Sequence, residues 1–236
     1  MKIASRQNPT IKAVSKLHQK KYRNTKNQFI LEGYHLYEEA KKHQAIVHVY
    51  TTDERIKGKQ VTYVTPPVLE KLANTKHPQG VVTVCNKRPS YPPGKRVLLC
   101  DHIQDPGNLG TLIRSALAFS FDTVVLDTCV DLYNDKVLRS TQGALFGINI
   151  IDMPIEQFMA KYTDFYIVGT ALSNEQLSDI VVHPKMGVVV GNEGSGIKQS
   201  ILEKTSINVT IPIDHIDSLN VGVAGSILMH HIKNNT

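Results

Sequence analysis

The chain has 236 residues, 41% of them apolar, which suits one large domain or two modest ones with ordinary packed cores. Its three cysteines, Cys85, Cys100 and Cys129, are far apart and form no CxxC pair, which argues against a disulfide framework and a zinc site. No run approaches the roughly 20 apolar residues of a membrane span, and the opening MKIASRQNPTIK carries no apolar leader, so a cytoplasmic protein with no membrane partner is expected.

The net charge of +6 is unevenly distributed. Residues 1–96 hold 19 basic and 6 acidic residues, a net +13, whereas residues 97–236 hold 8 and 15, a net −7. A basic half of this kind suits a polyanionic partner, with a solvated Lys-rich surface as the bland alternative. The excess gathers near the start. Asn8-Pro9 caps a predicted helix over residues 8–23. Lys12, Lys16 and Lys20 recur every four residues on one face of it, and with Lys21 and Arg23 they form a candidate RNA-binding stripe.

Strand FILEG, helix YHLYEEAKK, strand IVHVY, strand VTYV, helix VLEKLANTK after Pro66-Pro67, and strand QGVVTVC follow in order. This is a small three-layer α/β domain. The segment KRPSYPPGK over residues 87–95 has three prolines and a glycine, coincides with the charge switch, and reads as a linker between a domain at 1–90 and one at 96–236.

From residue 96 strands alternate with helices. Strand RVLLC leads into a loop at 105–110 and helix TLIRSALAF. Strand DTVVLD, helix DKVLRS, strand INIIDM, helix IEQFMAKY, strands FYIVGTAL and MGVVVG, helix GIKQSILEK, strand INVTIPI and a closing helix LNVGVAGSILMHH complete the chain. The alternation predicts a mostly parallel sheet with helices on both faces, and ligands then sit beyond the C-terminal strand ends.

Three polar clusters fall at such ends. In the first, DPGNLGTLIR, turn chemistry explains Pro106 and Gly107. It leaves Arg114 in an otherwise apolar helix, where a buried guanidinium needs an anion: Asp101, Asp105 or an RNA phosphate. The second, Gly191-Asn192-Glu193-Gly194-Ser195-Gly196, is a strand-to-helix turn whose amides suit an anion or a ligand backbone. Its spacing is G-x-x-G-x-G, not the dinucleotide fingerprint, and Glu193 would repel a pyrophosphate, which counts against NAD and ATP. In the third, Ser218 reads as a plain N-cap with Asn220 in the first turn. The histidines form no hydrolase or metal pattern.

Taken together and in order, these clusters resemble the SpoU (TrmH-like) family of RNA ribose 2′-O-methyltransferases of the SPOUT class. The likeness covers residues 98–231 and rests on Asp105, Pro106, Asn108, Gly110 and Arg114, on Gly191, Glu193, Gly194 and Gly196, and on Ile211, Pro212, Ser218, Leu219, Asn220, Val221, Val223 and Ala224. The first 86 residues are similar to the family's substrate-binding domain, related in fold to ribosomal protein L30e, through Tyr22-Arg23, residues 29–33 and residues 77–80.

The resemblance implies a C-terminal trefoil knot, a homodimer and S-adenosylmethionine as cofactor. It implies catalytic roles for Arg114, Asn108, Glu193, Ser218 and Asn220, and cofactor contacts from Gly169, Thr170, Ala171, Gly191, Ile211 and Leu219. It implies RNA as partner, 23S rRNA ahead of tRNA, with a non-catalytic RNA-binding protein of the same fold as the alternative. The loop at 213–217 departs most from the family pattern, being one residue short and carrying Asp214-His215 where glycine is usual.

Overall fold

The computed structural model describes residues 2–235 except Asn74, Lys76 and Leu172. The chain divides into two compact units, Met1–Pro89 with Tyr133–Phe146, and Ser90–Leu132 with Gly147–Thr236.

The first unit runs β1 (Lys2–Ile3), α1 (Pro9–Ser15), a 3-10 turn (Lys16–His18), α2 (Lys20–Lys26), β2 (Gln28–Glu32), α3 (Tyr34–Lys42), β3 (Ile46–Thr51), β4 (Val61–Val64), α4 (Pro66–Ala73) and β5 (Val81–Asn86). Two residues of the predicted helix VLEKLANTK, Asn74 and Lys76, lie outside the described residues. The sheet order is β1-β4-β3-β5-β2, with β5 antiparallel to both neighbours. Side-chain alternation along β2 supplies both faces. Ile30 joins Ile11, Leu17, Val68 and Leu72 in one core, and Phe29 and Leu31 join Leu36, Ala40 and Cys85 in another. That second core is completed by Leu138, Leu145 and Phe146 from the later segment Tyr133–Phe146. The domain expected at 96–236 includes this segment, whereas its packing puts it in the first unit.

The predicted single helix over residues 8–23 is three pieces. Asn8 caps α1 by accepting from Thr10 N at 2.9 Å, but Gln19 is extended (φ −97°, ψ 130°) and breaks the run before α2. Lys12, Lys16, Lys20 and Lys21 are all exposed, yet they do not share one helix face. Arg23 is a clear correction. Its side chain is buried, and its Nη1 donates to the carbonyls of Leu17 (2.9 Å) and His18 (2.7 Å). Those carbonyls close the 3-10 turn and lack onward helical partners, so Arg23 caps the break and is no RNA-facing charge.

The second unit carries β6 (Arg96–Asp101), α5 (Pro106–Ala118), β7 (Thr123–Asp127), β8 (Asn149–Asp152), α7 (Ile155–Lys161), β9 (Tyr166–Thr170), β10 (Met186–Val190), α8 (Gln199–Leu202), β11 (Ile207–Val209) and α9 (Val221–Asn234); α6 (Asp135–Thr141) belongs to the first unit. Its sheet is parallel throughout, in the order β11-β9-β10-β6-β7-β8. Val97, Leu99, Val125 and Val189 pack with Ile155 and Phe158 of α7 on one face. Helices α5 and α9 pack together, α5 against β7 and α9 against β10. Helices thus cover both faces, as expected.

Several boundaries differ from expectation. The predicted loop at 105–110 is the start of α5. Asp105 is its N-cap, accepting from Asn108 N at 2.8 Å, and Pro106 occupies the first helical position, where its missing N–H costs nothing. Strand INVTIPI ends at Val209, and helix GIKQSILEK shrinks to four residues. Strand FYIVGTAL ends at Thr170, and its last residue, Leu172, lies outside the described residues.

In the first unit His18 Nε2 donates to Leu72 O (2.7 Å), and its Nδ1 lies 3.4 Å from Asp135 of α6. Burial disfavours the imidazolium, but the Asp135 carboxylate and the Leu72 carbonyl outweigh it and raise the His18 pKa, while Asp135 is lowered despite its own burial. A raised histidine pKa contributes stability below its unfolded value, about 6.5, and loses it as pH rises through the folded value. His18→Gln should therefore cost about 0.5–1 kcal/mol more at pH 5.5 than at pH 8.5 in chemical denaturation. An equal cost at both pH values would show that the pair carries no charge.

Candidate active site

A parallel sheet brings every C-terminal strand end to one side, and β6, β10 and β11 deliver the three polar clusters there, with β9 between β11 and β10. The connections also diverge here, since β6 leads to β7 on one side and β10 leads past β9 to β11 on the other. Residues 101–108 follow β6, residues 191–198 follow β10, and residues 210–220 follow β11.

The three clusters join through one chain of side-chain hydrogen bonds. Asn220 Nδ2 donates to Asn108 Oδ1 (2.8 Å), and Asn108 Nδ2 donates to Glu193 Oε1 (2.9 Å). Glu193 also accepts from the backbone N–H groups of Asp105 (3.2 Å) and Gln104 (3.4 Å). Partial burial works to raise the Glu193 pKa. The Asn108 amide and the backbone donors of Glu193, Asp105 and Gln104 prevail and hold the carboxyl below its ordinary value. Glu193 is therefore an ionised, well-satisfied anchor and a weak base.

Asn220, not Ser218, caps α9, its Oδ1 accepting from Gly222 N (2.9 Å) and Val223 N (3.3 Å). One amide thus both starts the helix and reaches the first cluster. Ser218 is exposed in the loop and joins no hydrogen bond among the described residues. His215, in the loop expected to differ from the family, is left-handed (φ 68°).

The turn after β10 is an Asx-type structure. Asn192 Oδ1 accepts from Gly194 N (2.9 Å) and Ser195 N (3.1 Å), and its backbone pairs with Gly196. Gly191 is buried, and a Cβ there would stand inside contact distance of the Gly196 and Ile197 backbone. The turn does not feed a helix N-terminus directly, because α8 starts only at Gln199. The expected anion site at a strand-to-helix turn is thus replaced by a turn folded back on itself.

Of the other expected cofactor residues, Gly169 and Thr170 end β9, and Ala171 follows. Thr210 ties this stretch to the end of β11, its hydroxyl lying 2.9 Å from both Ala171 O and Ser173 O. Ile211 and Leu219 are half-buried in the loop before α9. Arg114 overturns its expectation of burial. It lies on the exposed side of α5, opposite the buried Leu109, Leu112, Ile113 and Ala116. It makes no ion pair among the described residues. The acids that sequence offered as partners are engaged elsewhere: Asp105 caps α5, and Asp101 bonds His102 (2.7 Å) and the Lys198 backbone N–H (2.9 Å).

Sequence reasoning missed His102, Lys198 and Asp127, named Asn192 only as a member of its turn, and offered Asp101 only as a partner for Arg114. The signal for the carboxylates was present: both buried strands RVLLCD and TVVLD end on an acid.

Residues 95–230 match the SpoU rRNA methylase family, and residues 8–83 match the MRM3-like substrate-binding domain. The chain belongs to the SpoU rRNA methylase family. It is 38% identical to the 23S rRNA (guanosine(2553)-2′-O)-methyltransferase RlmP of Bacillus subtilis, over 98% of each chain. It is 31% identical to an uncharacterised tRNA/rRNA methyltransferase of Synechocystis, over 98% of this chain and 93% of that one. An AdoMet-bound rRNA methyltransferase from Sinorhizobium meliloti superposes with a TM-score of 0.88 at 25% identity, covering 100% of this chain and 98% of the other.

The crowding at Gly191 yields a stability test. Gly191→Ala must displace the backbone of the facing arm, and the expected loss is about 2–3 kcal/mol by denaturant titration. Unchanged stability would mean that the turn opens without cost.

Proposed function

We propose that the chain is an S-adenosylmethionine-dependent RNA ribose 2′-O-methyltransferase acting on 23S rRNA. The observation that carries this reading is the chain Asn220–Asn108–Glu193, which unites the three family clusters at the ligand end of the sheet. The B. subtilis relative, similar over nearly its whole length, is named for that reaction.

The residues present fit the cofactor. The ends of β9, β10 and β11 stand side by side, with half-buried Ile211 and Leu219 offering apolar surface and an ionised carboxylate at Glu193. An acid there suits a cationic sulfonium and disfavours a pyrophosphate. Bound S-adenosylmethionine supplies an electrophilic methyl group.

Arg114, exposed and without an ion-pair partner among the described residues, is the residue assigned to RNA. A guanidinium is a poor base but a paired donor to phosphate oxygens. It grips a phosphate beside the reacting ribose and steadies the negative charge that grows on the 2′ oxygen as its proton passes to that phosphate. Glu193, spent on four donors, holds Asn108 and the backbone at 104–105 instead of taking the proton. Exposed Lys12, Lys16, Lys20 and Lys21 hold the RNA through its backbone.

The reading extends to a homodimer in the cytoplasm. Leu117 on α5, Ile216 in the preceding loop of α9 and Val223 on α9 are large apolar side chains 38%, 58% and 48% exposed, which supports a second copy on this side. It also includes the knot. In its favour, the chain leaves β11 at the sheet edge and returns as α9 to β10, two strands inward.

Arg114→Ala should lower methyl transfer by about 100-fold or more while S-adenosylmethionine affinity, by calorimetry, stays within about threefold. Retained transfer would remove Arg114 from the mechanism. Mapping 2′-O-methyl groups in a deletion strain should show one lost from a guanosine of 23S rRNA. A loss confined to tRNA would move the substrate, and no loss would favour an RNA-binding protein without catalysis.

A further inference from the structure

Beneath the hydrogen-bonded chain of the site lies a charge cluster that none of its steps uses. Asp101 and Asp127 are register partners at the ends of β6 and β7, and their side chains are 1% and 8% exposed. Two carboxylates at paired positions of strands about 4.8 Å apart repel in a dry setting. The cation facing both is Lys198, whose Nζ lies 3.4 Å from Asp101 Oδ1 and 3.8 Å from Asp127 Oδ2. The remaining donors are neutral groups or a neighbouring imidazole. His102 Nδ1 meets Asp101 Oδ1 at 2.7 Å, and Asp127 accepts from Thr128 Oγ1 (2.9 Å) and Ile155 N (3.1 Å).

Lys198 is also the last residue of the turn after β10. Its backbone N–H donates to Asp101 Oδ2 (2.9 Å), while Asn192, at the turn's start, donates through Nδ2 to His102 O (2.9 Å). Both ends of the turn are thus tied to two consecutive residues at the end of β6. His102 holds a left-handed conformation (φ 56°), and its own N–H donates to Asp127 O (2.9 Å). A non-glycine residue in that region persists only where its surroundings enforce it. Between the tied ends, Glu193, Gly194, Ser195 and Gly196 are exposed, and Ile197 alone is buried. The turn is positioned chiefly by this polar frame.

We propose that Asp101, with Lys198 as its counter-ion, is a positioning residue that fixes the turn at 191–198 for S-adenosylmethionine. This rests on the methyltransferase reading. Neither side chain belongs to the Asn220–Asn108–Glu193 chain, and neither contacts Arg114. Its loss therefore weakens cofactor binding more than turnover.

The test uses the full-length chain with S-adenosylmethionine as titrant and a 23S rRNA fragment as acceptor. Lys198→Met and Asp101→Asn should each raise the calorimetric Kd and the KM for S-adenosylmethionine about tenfold, with kcat within about threefold. Lys198→Arg, which restores the cation, should return both to within about twofold of the parent. Unchanged Kd in both variants would overturn the proposal, as would a fall in kcat at constant KM, or Lys198→Arg behaving like Lys198→Met. A variant that unfolds below the assay temperature is replaced by Lys198→Gln, read against Lys198→Arg at equal melting midpoint; equal affinities for these two would also overturn the proposal. If the parent chain binds no S-adenosylmethionine, it is the functional reading that fails, and the two failures are told apart by that first titration.

Discussion

Everything at the ligand end of the second sheet depends on how the carboxylate of Glu193 is held. Glu193 is an exposed residue between Asn192 and Gly194, and a free glutamate there would sample many rotamers. Donors from Asn108 and from the backbone of Asp105 and Gln104 remove that freedom. Those donors in turn owe their direction to α5. Asp105 caps the helix, Pro106 sets its first φ, and Asn108 then projects from the first turn. The start of a helix thus joins the ties from Asp101 and His102 in locking the stretch after β6 to the stretch after β10.

The alternation of strands and helices was legible because a parallel sheet covered on both faces leaves near-continuous apolar strands such as VLLC, VVL and GVVV. Local roles were less legible, because one residue type serves two conformations. Asp-Pro-Gly reads as a turn, yet an acid followed by proline also starts a helix, and the apolar positions from Leu109 onward decide between them. Ser218 and Asn220 are both good caps. The choice falls to Asn220, whose amide also finds Asn108, a partner 112 positions away that no local pattern reveals. Arg114 was expected to be buried because its neighbours are apolar. Helical geometry instead turns Leu112, Ile113 and Ala116 inward and leaves position 114 outward.

The first unit shows two further limits of pattern. A four-residue repeat of lysine fits one helix face, but it does not require one helix. The chain bends at Gln19 so that Leu17 and Ile11 can both enter the core, and the buried Arg23 satisfies the carbonyls that the bend exposes. The segment Tyr133–Phe146 carries an apolar stripe that would cover any sheet equally well. Its assignment follows from Phe29, which packs against Tyr133 with the rings tilted at 44° and 4.7 Å between centroids, and lies near Phe146. Sequence continuity favoured the other unit, and aromatic packing decided otherwise.

The site is framed mainly by amides, and the sense of each amide is fixed. Asn108 accepts from Asn220 and donates to Glu193, and Asn192 donates to His102 O while accepting from the turn it closes. An aspartate at position 108 would face Glu193 with a second negative charge and no proton to share. An aspartate at position 220 would still cap α9, yet it would force the Asn108 amide to reverse and present its oxygen to the carboxylate. Amides carry direction without net charge, so the frame adds no field that would compete with Arg114 for a phosphate. Of the carboxylates in this frame, Glu193 is saturated with donors, and Asp101 and Asp127 are buried against Lys198. The Arg114 guanidinium on α5 is exposed and makes no ion pair among the described residues, which leaves it open to a phosphate of the proposed RNA substrate.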